Sequence, residues 1–378
     1  MGAYLSSPVT EKELFEGDGV SMHYGGSSMQ GWRRTMEDAH VAETALPEDP
    51  ETAIFGVFDG HGGAEVAKFC QKYLIAEFQR LKASSSVDEA LIKCFHRMDD
   101  MLRDTSRFHD ELEHMKTKEP TEEDGDDDRA NGTMDALDLL KRVFQLKRFM
   151  GGDNSANAAG ANGAAGGGAS GAFKIDESAE PEDNLPQAGC TAVVAVKCGD
   201  ELFVANAGDS RGVLCRNGRA LALSEDHKPA QEGERSRIIA AGGFLSEIGG
   251  VCRVNGNLNL SRAIGDLKYK GNTELPASQQ IITAQPDICK ISLTSEDRFF
   301  VLACDGVWDV MSNQDVVDFI SHRLDQGMTP SQASSALLDA CLANDPKEAR
   351  GVGCDNMTSV VVQLKHTLPK QAQLKAAE

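Results

Sequence analysis

Four aspartates in this 378-residue chain each follow an apolar run: Asp59 after FGVF, Asp209 after LFVANAG, Asp305 after FFVLAC and Asp355 after GVGC. Asp59 is followed by Gly60 and His61, Asp305 by Gly306 and then by Asp309, and Asp355 by Asn356. A strand that ends on a carboxylate sets hard oxygen at a sheet edge, and His61 adds a group that exchanges protons near neutral pH. A single Asp-Gly pair is ordinarily a turn, and each aspartate alone would pass as a strand-end cap. Their recurrence points to convergence. Carboxylates gathered at one edge repel and raise one another's pKa unless positive charge compensates, and few basic residues stand near these runs. Oxygen donors of this kind select Mg²⁺ or Mn²⁺ over zinc.

Two such cations sharing a carboxylate would deprotonate a bridging water near neutral pH and brace the oxygens of an in-line displacement at phosphorus. A phosphate needs a bidentate donor, which Arg33 or Arg34 offers through its guanidinium fork. Serine and threonine leave as poor alkoxides, so a proton donor is required, and His61 sits beside the expected ligands. No cysteine is followed by arginine six residues on, so the thiolate loop of cysteine phosphatases is missing, and no P-loop pattern occurs.

The elements that must position these groups are legible in outline. An apolar run before Asp59 reads as a buried strand, and apolar positions over 64–82 and 87–102 recur at helical spacing. From Gly189 onward TAVVAVK, ELFVANAGD and RGVLCRNG read as successive strands. A helix is expected over 229–241, strands near 281–283, 288–293 and 299–303, helices over 313–326 and 330–343, and a closing strand over 358–364. Strands dominate and the helices come in pairs, which predicts two sheets flanked by helices.

Between these halves the composition changes. Residues 119–128 read EPTEEDGDDD, and 151–172 are almost wholly Gly, Ala, Asn and Ser. Neither stretch buries enough apolar surface to offset its ordering entropy, so 106–187 reads as one inserted loop holding a short helix over 134–150. The acidic run is either a calcium or basic-partner site or simply a solvated segment.

The formal net charge of −21 argues against nucleic acid as a partner. Ten cysteines, none in a C-x-x-C pair, fit reduced thiols in a cytoplasmic protein. No apolar stretch reaches the length of a membrane span. The start, Met1-Gly2-Ala3-Tyr4-Leu5-Ser6, matches the pattern for N-myristoylation at Gly2. One acyl chain without a basic patch gives reversible membrane contact only.

Together GWRRTMEDAH (31–40), GVFDGHGG (56–63), ANAGDSRGVL (205–214), LSRAIGD (260–266), LACDGVWDV (302–310) and CDNMTSVVV (354–362) resemble the metal-dependent protein phosphatases of the PP2C/PPM family. The resemblance covers about 1–105 and 188–366. It implies an α+β fold, a β-sandwich of two antiparallel sheets flanked by α-helices in four layers (α-β-β-α). It also implies a protein serine/threonine phosphatase acting on phosphoproteins with two Mg²⁺ or Mn²⁺ ions and no covalent intermediate. A monomer is expected.

Carried over by motif, Asp59 resembles the carboxylate bridging both ions, with the Gly60 carbonyl on one of them, and Asp305 and Asp355 resemble the remaining direct ligands. Glu37 and Asp38 are similar to outer-sphere residues holding metal-bound waters. Arg33 resembles the phosphate-binding arginine and His61 the general acid. Asp209 and Asp309 match positions that form, with Asp305, a weaker third metal site in some members. The 227–268 segment corresponds to the flap beside the active site, and MGAYLSSP resembles the acylatable start of animal-type members. The expected domain organisation is an N-terminal segment over 1–19, a phosphatase domain over 20–366 interrupted by 106–187, and a tail over 367–378.

Bland readings stand beside these. Arg34 is expected to be a surface charge, His40 and His227 structural, Trp32 and Trp308 core, and Cys304 and Cys354 small core residues. Two rivals to the phosphatase also remain: an inactive phosphoprotein-binding scaffold, and a two-metal hydrolase of small phosphates or nucleotides.

Overall fold

The computed structural model describes residues 4–47, 49–117 and 185–365. Among the described residues, with elements numbered in chain order, the strands form two large antiparallel sheets. One runs in the order β1 (Val9–Gly19), β2 (Met22–Gly31), β16 (Met357–Leu364), β15 (Asp297–Ala303), β9 (Arg211–Arg216) and β10 (Arg219–Ala222). The other runs β14 (Asp287–Ser292), β8 (Glu201–Ala207), β7 (Ala192–Cys198), β4 (Thr52–Phe58) and β3 (Ala39–Glu43).

Strand β4 shows why the runs before the aspartates are continuously apolar. Side chains alternate across a strand, and here both faces are covered. Ala53, Phe55 and Val57 join the core between the sheets with Val204, Phe300, Leu302 and Val360. Ile54 and Phe58 turn the other way, into a second core with helices α1 (Glu65–Lys82), α2 (Val87–Arg103) and α3 (Thr105–Met115). On the far side Phe299, Val301 and Ala303 of β15 pack against α6 (Asn313–Asp325) and α7 (Pro330–Cys341). Both of these helices begin with capping boxes, Ser312 with Asp315 and Thr329 with Gln332, which satisfy exposed N–H groups of the first turn. The result is the expected four-layer α-β-β-α sandwich.

Smaller elements complete it. Strands β5 (Gly60–His61), β6 (Gly189–Cys190) and β13 (Ile264–Gly265) form a three-stranded sheet with β6 in the centre. The flap holds helix α4 (Glu232–Ala240) and the hairpin of β11 (Leu245–Ile248) and β12 (Val251–Val254), packed around Ile238, Val254, Leu260, Tyr269 and Ile282. The four-residue helix α5 (Asp305–Trp308) follows β15.

Several boundaries differ from the sequence expectation. The sandwich begins at Val9 rather than residue 20, because VTEKELFEGDG pairs along its length with β2 as an edge strand. Its charged, exposed side chains hide the strand from an apolar-pattern reading, as is usual at sheet edges. The start of the insertion also moves. Residues 106–115 belong to α3, where Phe108 and Leu112 are buried and the Phe108 ring meets Phe69 edge-on at 5.2 Å. Residues 281–283 form no strand, only a bridge between Arg262 and Thr283, and the Thr283 hydroxyl donates to the Ala277 carbonyl. The acidic run, the 134–150 helix, the 367–378 tail and Gly2 lie outside the described residues.

Candidate metal and phosphate site

The ends of β4, β8 and β15 and the start of β16 meet at one edge of the sandwich, and they bring the aspartates with them. Asp59 follows β4 directly, and its carbonyl accepts the Thr191 N–H at 2.9 Å. Asp209 lies two residues past β8 and is buried, and Asp305 opens α5. Asp355 reaches the same edge differently. GVGC is a turn, not a strand, and Asp355 precedes β16 rather than closing a run.

The electrostatics record the convergence. Burial pushes the Asp59 carboxyl well above its usual range, and the charges of Asp305, Asp38, Asp355 and Asp209 push the same way. Asp305 is likewise raised well above its range, by burial and then by Asp209, Asp355 and Asp309, with Lys228 opposing. Asp355 and Asp309 are raised too, in each case first by burial. Asp38 reaches about 7, driven by burial, against a hydrogen bond from the Thr358 hydroxyl at 2.7 Å. Its other oxygen, Oδ1, is buried with no hydrogen-bond partner. Carboxylates in this state lack positive charge.

Asp38, which the resemblance places in the outer sphere, groups with Asp59 and Cys304, whose ligand-type atoms lie within 4.8 Å of one another. Cys304 belongs to the packing. Burial pushes its thiol well up, and Sγ bonds the Asn356 carbonyl at 3.5 Å and accepts the Thr358 N–H at 3.2 Å. A protonated thiol is a poor ligand for a hard cation.

The loop bearing Arg33, Glu37 and Asp38 is tied down by Asn356. Its Nδ2 donates to the carbonyls of Gln30 and Thr35 at 2.8 and 2.9 Å, and its Oδ1 accepts the Glu37 N–H at 2.9 Å. Glu37 accepts the Gly63 N–H at 3.2 Å and the Thr35 hydroxyl at 2.9 Å. Gly60 is required here because a Cβ would strike the Glu37 carbonyl. Arg33 binds Asp355 at 2.5 Å with its side chain half exposed. Burial works against the Arg33 charge, but Asp355, Asp59 and Asp305 outweigh it and hold the guanidinium firmly protonated.

Two partners at the site are not signalled by local sequence. Lys228 Nζ lies 2.6 Å from Asp209 Oδ2 and supplies part of the missing positive charge. Asp266, the last residue of LSRAIGD, binds His61 Nε2 at 2.7 Å. Burial disfavours the His61 cation, yet Asp266, assisted by Asp209 and Glu37, raises its pKa above the usual value. Beside Glu37 and Gly63 a cleft of about 530 Å³ opens toward Leu112, Glu113 and Lys116 of the α3 region and toward Leu185 and Pro186.

The expected structural residues lie where the bland readings put them. Trp32, Trp308, Cys354 and His227 are buried, Arg34 is exposed, and His40 stacks on Phe15 with 3.6 Å between ring centroids. No helix among the described residues is long and apolar enough to cross a membrane.

This geometry can be set against known proteins. The family model described as protein phosphatase 2C matches residues 22–118 and 167–349. The chain is 42% identical to probable protein phosphatase 2C 11 of Oryza sativa subsp. japonica, over 100% of this chain and 95% of that one. It is 40% identical to probable protein phosphatase 2C 4 of Paramecium tetraurelia, over 97% of this chain and 99% of that one. A solved phosphatase from a pathogenic strain of Toxoplasma gondii shares the fold, with a TM-score of 0.61 at 20% identity, covering 94% of this chain and 96% of that one. The chain belongs to the protein phosphatase 2C family. It is a protein phosphatase, and membership implies divalent metal and phosphoprotein substrates. The family match stops at residue 349, so Asp355 is tied to the site by its motif and its position beside Arg33.

Proposed function

We propose that the chain hydrolyses phosphoserine and phosphothreonine in proteins, using two Mg²⁺ or Mn²⁺ ions held by Asp59, the Gly60 carbonyl, Asp305 and Asp355. The observation that carries this reading is the excess of half-buried and buried carboxyls at one edge, with Asp59, Asp305 and Asp355 raised in pKa and Asp38 Oδ1 left unbonded. Divalent cations would supply the charge this cluster lacks. Glu37 and Asp38 stand behind the ligands, placed to bind water, and Asp209 with Asp309 and Asp305 offers a third, weaker position.

When bound, such ions lower the pKa of water and neutralise charge on the phosphoryl oxygens. The chain's own residues do the rest. Arg33, half exposed beside Asp355, would bind the phosphate. His61 gives a proton to the departing serine or threonine oxygen. Cys304, the thiol beside these aspartates, is buried and held protonated, which unsuits it as a nucleophile. The protein is read as a cytoplasmic monomer, its ten unpaired cysteines fitting a reducing compartment. The MGAYLS start supports acylation of Gly2 and reversible membrane contact, which the mass of the N-terminal peptide from a eukaryotic host would decide.

The test of the main reading is phosphate release from matched phosphothreonine and phosphotyrosine peptides. Release should depend on added Mg²⁺ or Mn²⁺ and strongly favour phosphothreonine. Robust turnover after complete chelation would sink the metal reading.

A further inference from the structure

We propose that Asp266 is a positioning residue for His61, and that a buried strut from helix α2, Asp99 with Lys270, holds Asp266 in place. This rests on the reading above, in which His61 gives a proton to the leaving oxygen.

Four observations converge on the pair. Asp266 is buried and its Oδ2 lies 2.7 Å from His61 Nε2. The small sheet sets the register, because His61 lies opposite Gly189, which lies opposite Gly265, the residue before Asp266. Asp266 itself adopts φ +50°, in the left-handed region. A non-glycine residue there stores strain that its surroundings must hold. Finally, Gly189 leaves the space the pair occupies: a Cβ there would lie 2.5 Å from Asp266 Oδ2 and 2.7 Å from His61 Nε2.

The surroundings that hold the strain are identifiable. The Asp266 N–H donates to the Ala188 carbonyl at 3.0 Å. The Gly265 N–H donates to Asp99 Oδ1 at 2.8 Å, and Lys270 Nζ donates to Asp99 Oδ2 at 2.5 Å and to the Ala263 carbonyl at 2.7 Å. Arg103 donates to the Lys270 carbonyl at 3.0 Å. Asp99 and Lys270 are both buried. A buried ion pair is seldom more stabilising than apolar filling of the same volume. This one bonds the backbone of Gly265 and Ala263, just before Asp266, from a lysine four residues after it, and so clasps the turn that carries it.

The chemical consequence concerns the ring. With Nε2 engaged by Asp266, Nδ1 is the nitrogen without a hydrogen-bond partner among the described residues, and it is the one available to the leaving oxygen. As the bond from phosphorus to that oxygen breaks, the electron pair stays on oxygen and the Nδ1 proton joins it. The attacking water forms the new bond to phosphorus, and its released proton restores the imidazolium. A ring free to rotate would present Nδ1 only part of the time. The loss should therefore fall on turnover, and only where the leaving group needs a proton.

The experiment compares a phosphothreonine peptide with p-nitrophenyl phosphate, whose leaving group departs as a stable anion, using the full chain with Mn²⁺. Asp266→Asn should lower kcat on the peptide by about 100-fold. KM on the peptide and kcat on p-nitrophenyl phosphate should stay within about threefold. Gly189→Ala, which wedges a methyl between the two groups and removes neither, should reproduce the pattern. In the His61→Ala background, Asp266→Asn should cost nothing further. Equal losses on both substrates, a change in KM alone, no loss, or additivity with His61→Ala would overturn the proposal. A wild-type protein inert on both substrates would sink the phosphatase reading, and the proposal with it.

Discussion

At the flap, Glu234 and Asp287 sit among Arg237, Arg262 and His227, whereas at the sandwich edge six aspartates, Asp38, Asp59, Asp209, Asp305, Asp309 and Asp355, share Arg33 and Lys228. In the flap, Arg262 reaches Glu234 at 2.7 Å and Asp287 at 2.8 Å, Arg237 reaches Glu234 at 3.0 Å, and His227 reaches Asp287 at 3.1 Å. Burial pushes Glu234 up, but Arg262 and Arg237 outweigh it and its carboxyl ends below the usual range. Asp287 is lowered as well, chiefly by His227. At the sandwich edge Asp59, Asp305 and Asp355 move the other way. The residue types match; the balance of charge does not. A network whose acids and bases cancel is a strut, while one left short of positive charge awaits a cation from outside.

The sharpest way to break this contrast is to remove one charge from each network. Asp305→Ala should abolish phosphothreonine turnover, by on the order of a thousandfold, and should leave the melting temperature of the metal-free protein unchanged or higher, because one repelling carboxylate is gone. Arg262→Met leaves Glu234 with Arg237 and Asp287 with His227 and should still cost on the order of 3 kcal/mol of stability, read by denaturant unfolding. If Asp305→Ala proves the more destabilising of the two, the contrast fails.

Added metal gives the next largest effect. Mn²⁺ at roughly a hundredfold excess over its dissociation constant should stabilise the chelator-treated wild type by about 2.7 kcal/mol, and Asp305→Ala by much less. An equal shift in both would place the cation elsewhere.

Acid gives the smallest. Glu234 and Asp287 have folded pKa values below their unfolded ones, so in acid the unfolded chain binds more protons. Their contribution is complete above the ordinary carboxyl range near pH 4 and is lost as the pH falls through the lowered values. The acid limb of a stability titration should therefore be shallower in Arg262→Met than in the wild type.

Legibility in the sequence followed how local each signal is. FGVF and FFVLAC stand out because strands covered on both faces are apolar at every position, and α1 and α2 show their helical period. Strand β1 escapes because its exposed face is charged, and β5, β6 and β13 are two residues long, too short to carry any period. Asp59 and Asp305 are found by the strands before them, but Asp355 is found for the wrong reason, since a turn precedes it. Asp266 and Lys228 take their meaning from partners far along the chain, and nothing in LSRAIGD or EDHKP marks those partners.

Strand β4 lends Asp59 two interiors at once, one between the sheets and one beneath the helices. A residue anchored on both sides has no soft direction in which to drift. Damage to Phe95 or Leu91, deep on the helical side and far along the chain from Asp59, is thus also damage to the foundation on which the acidic edge stands.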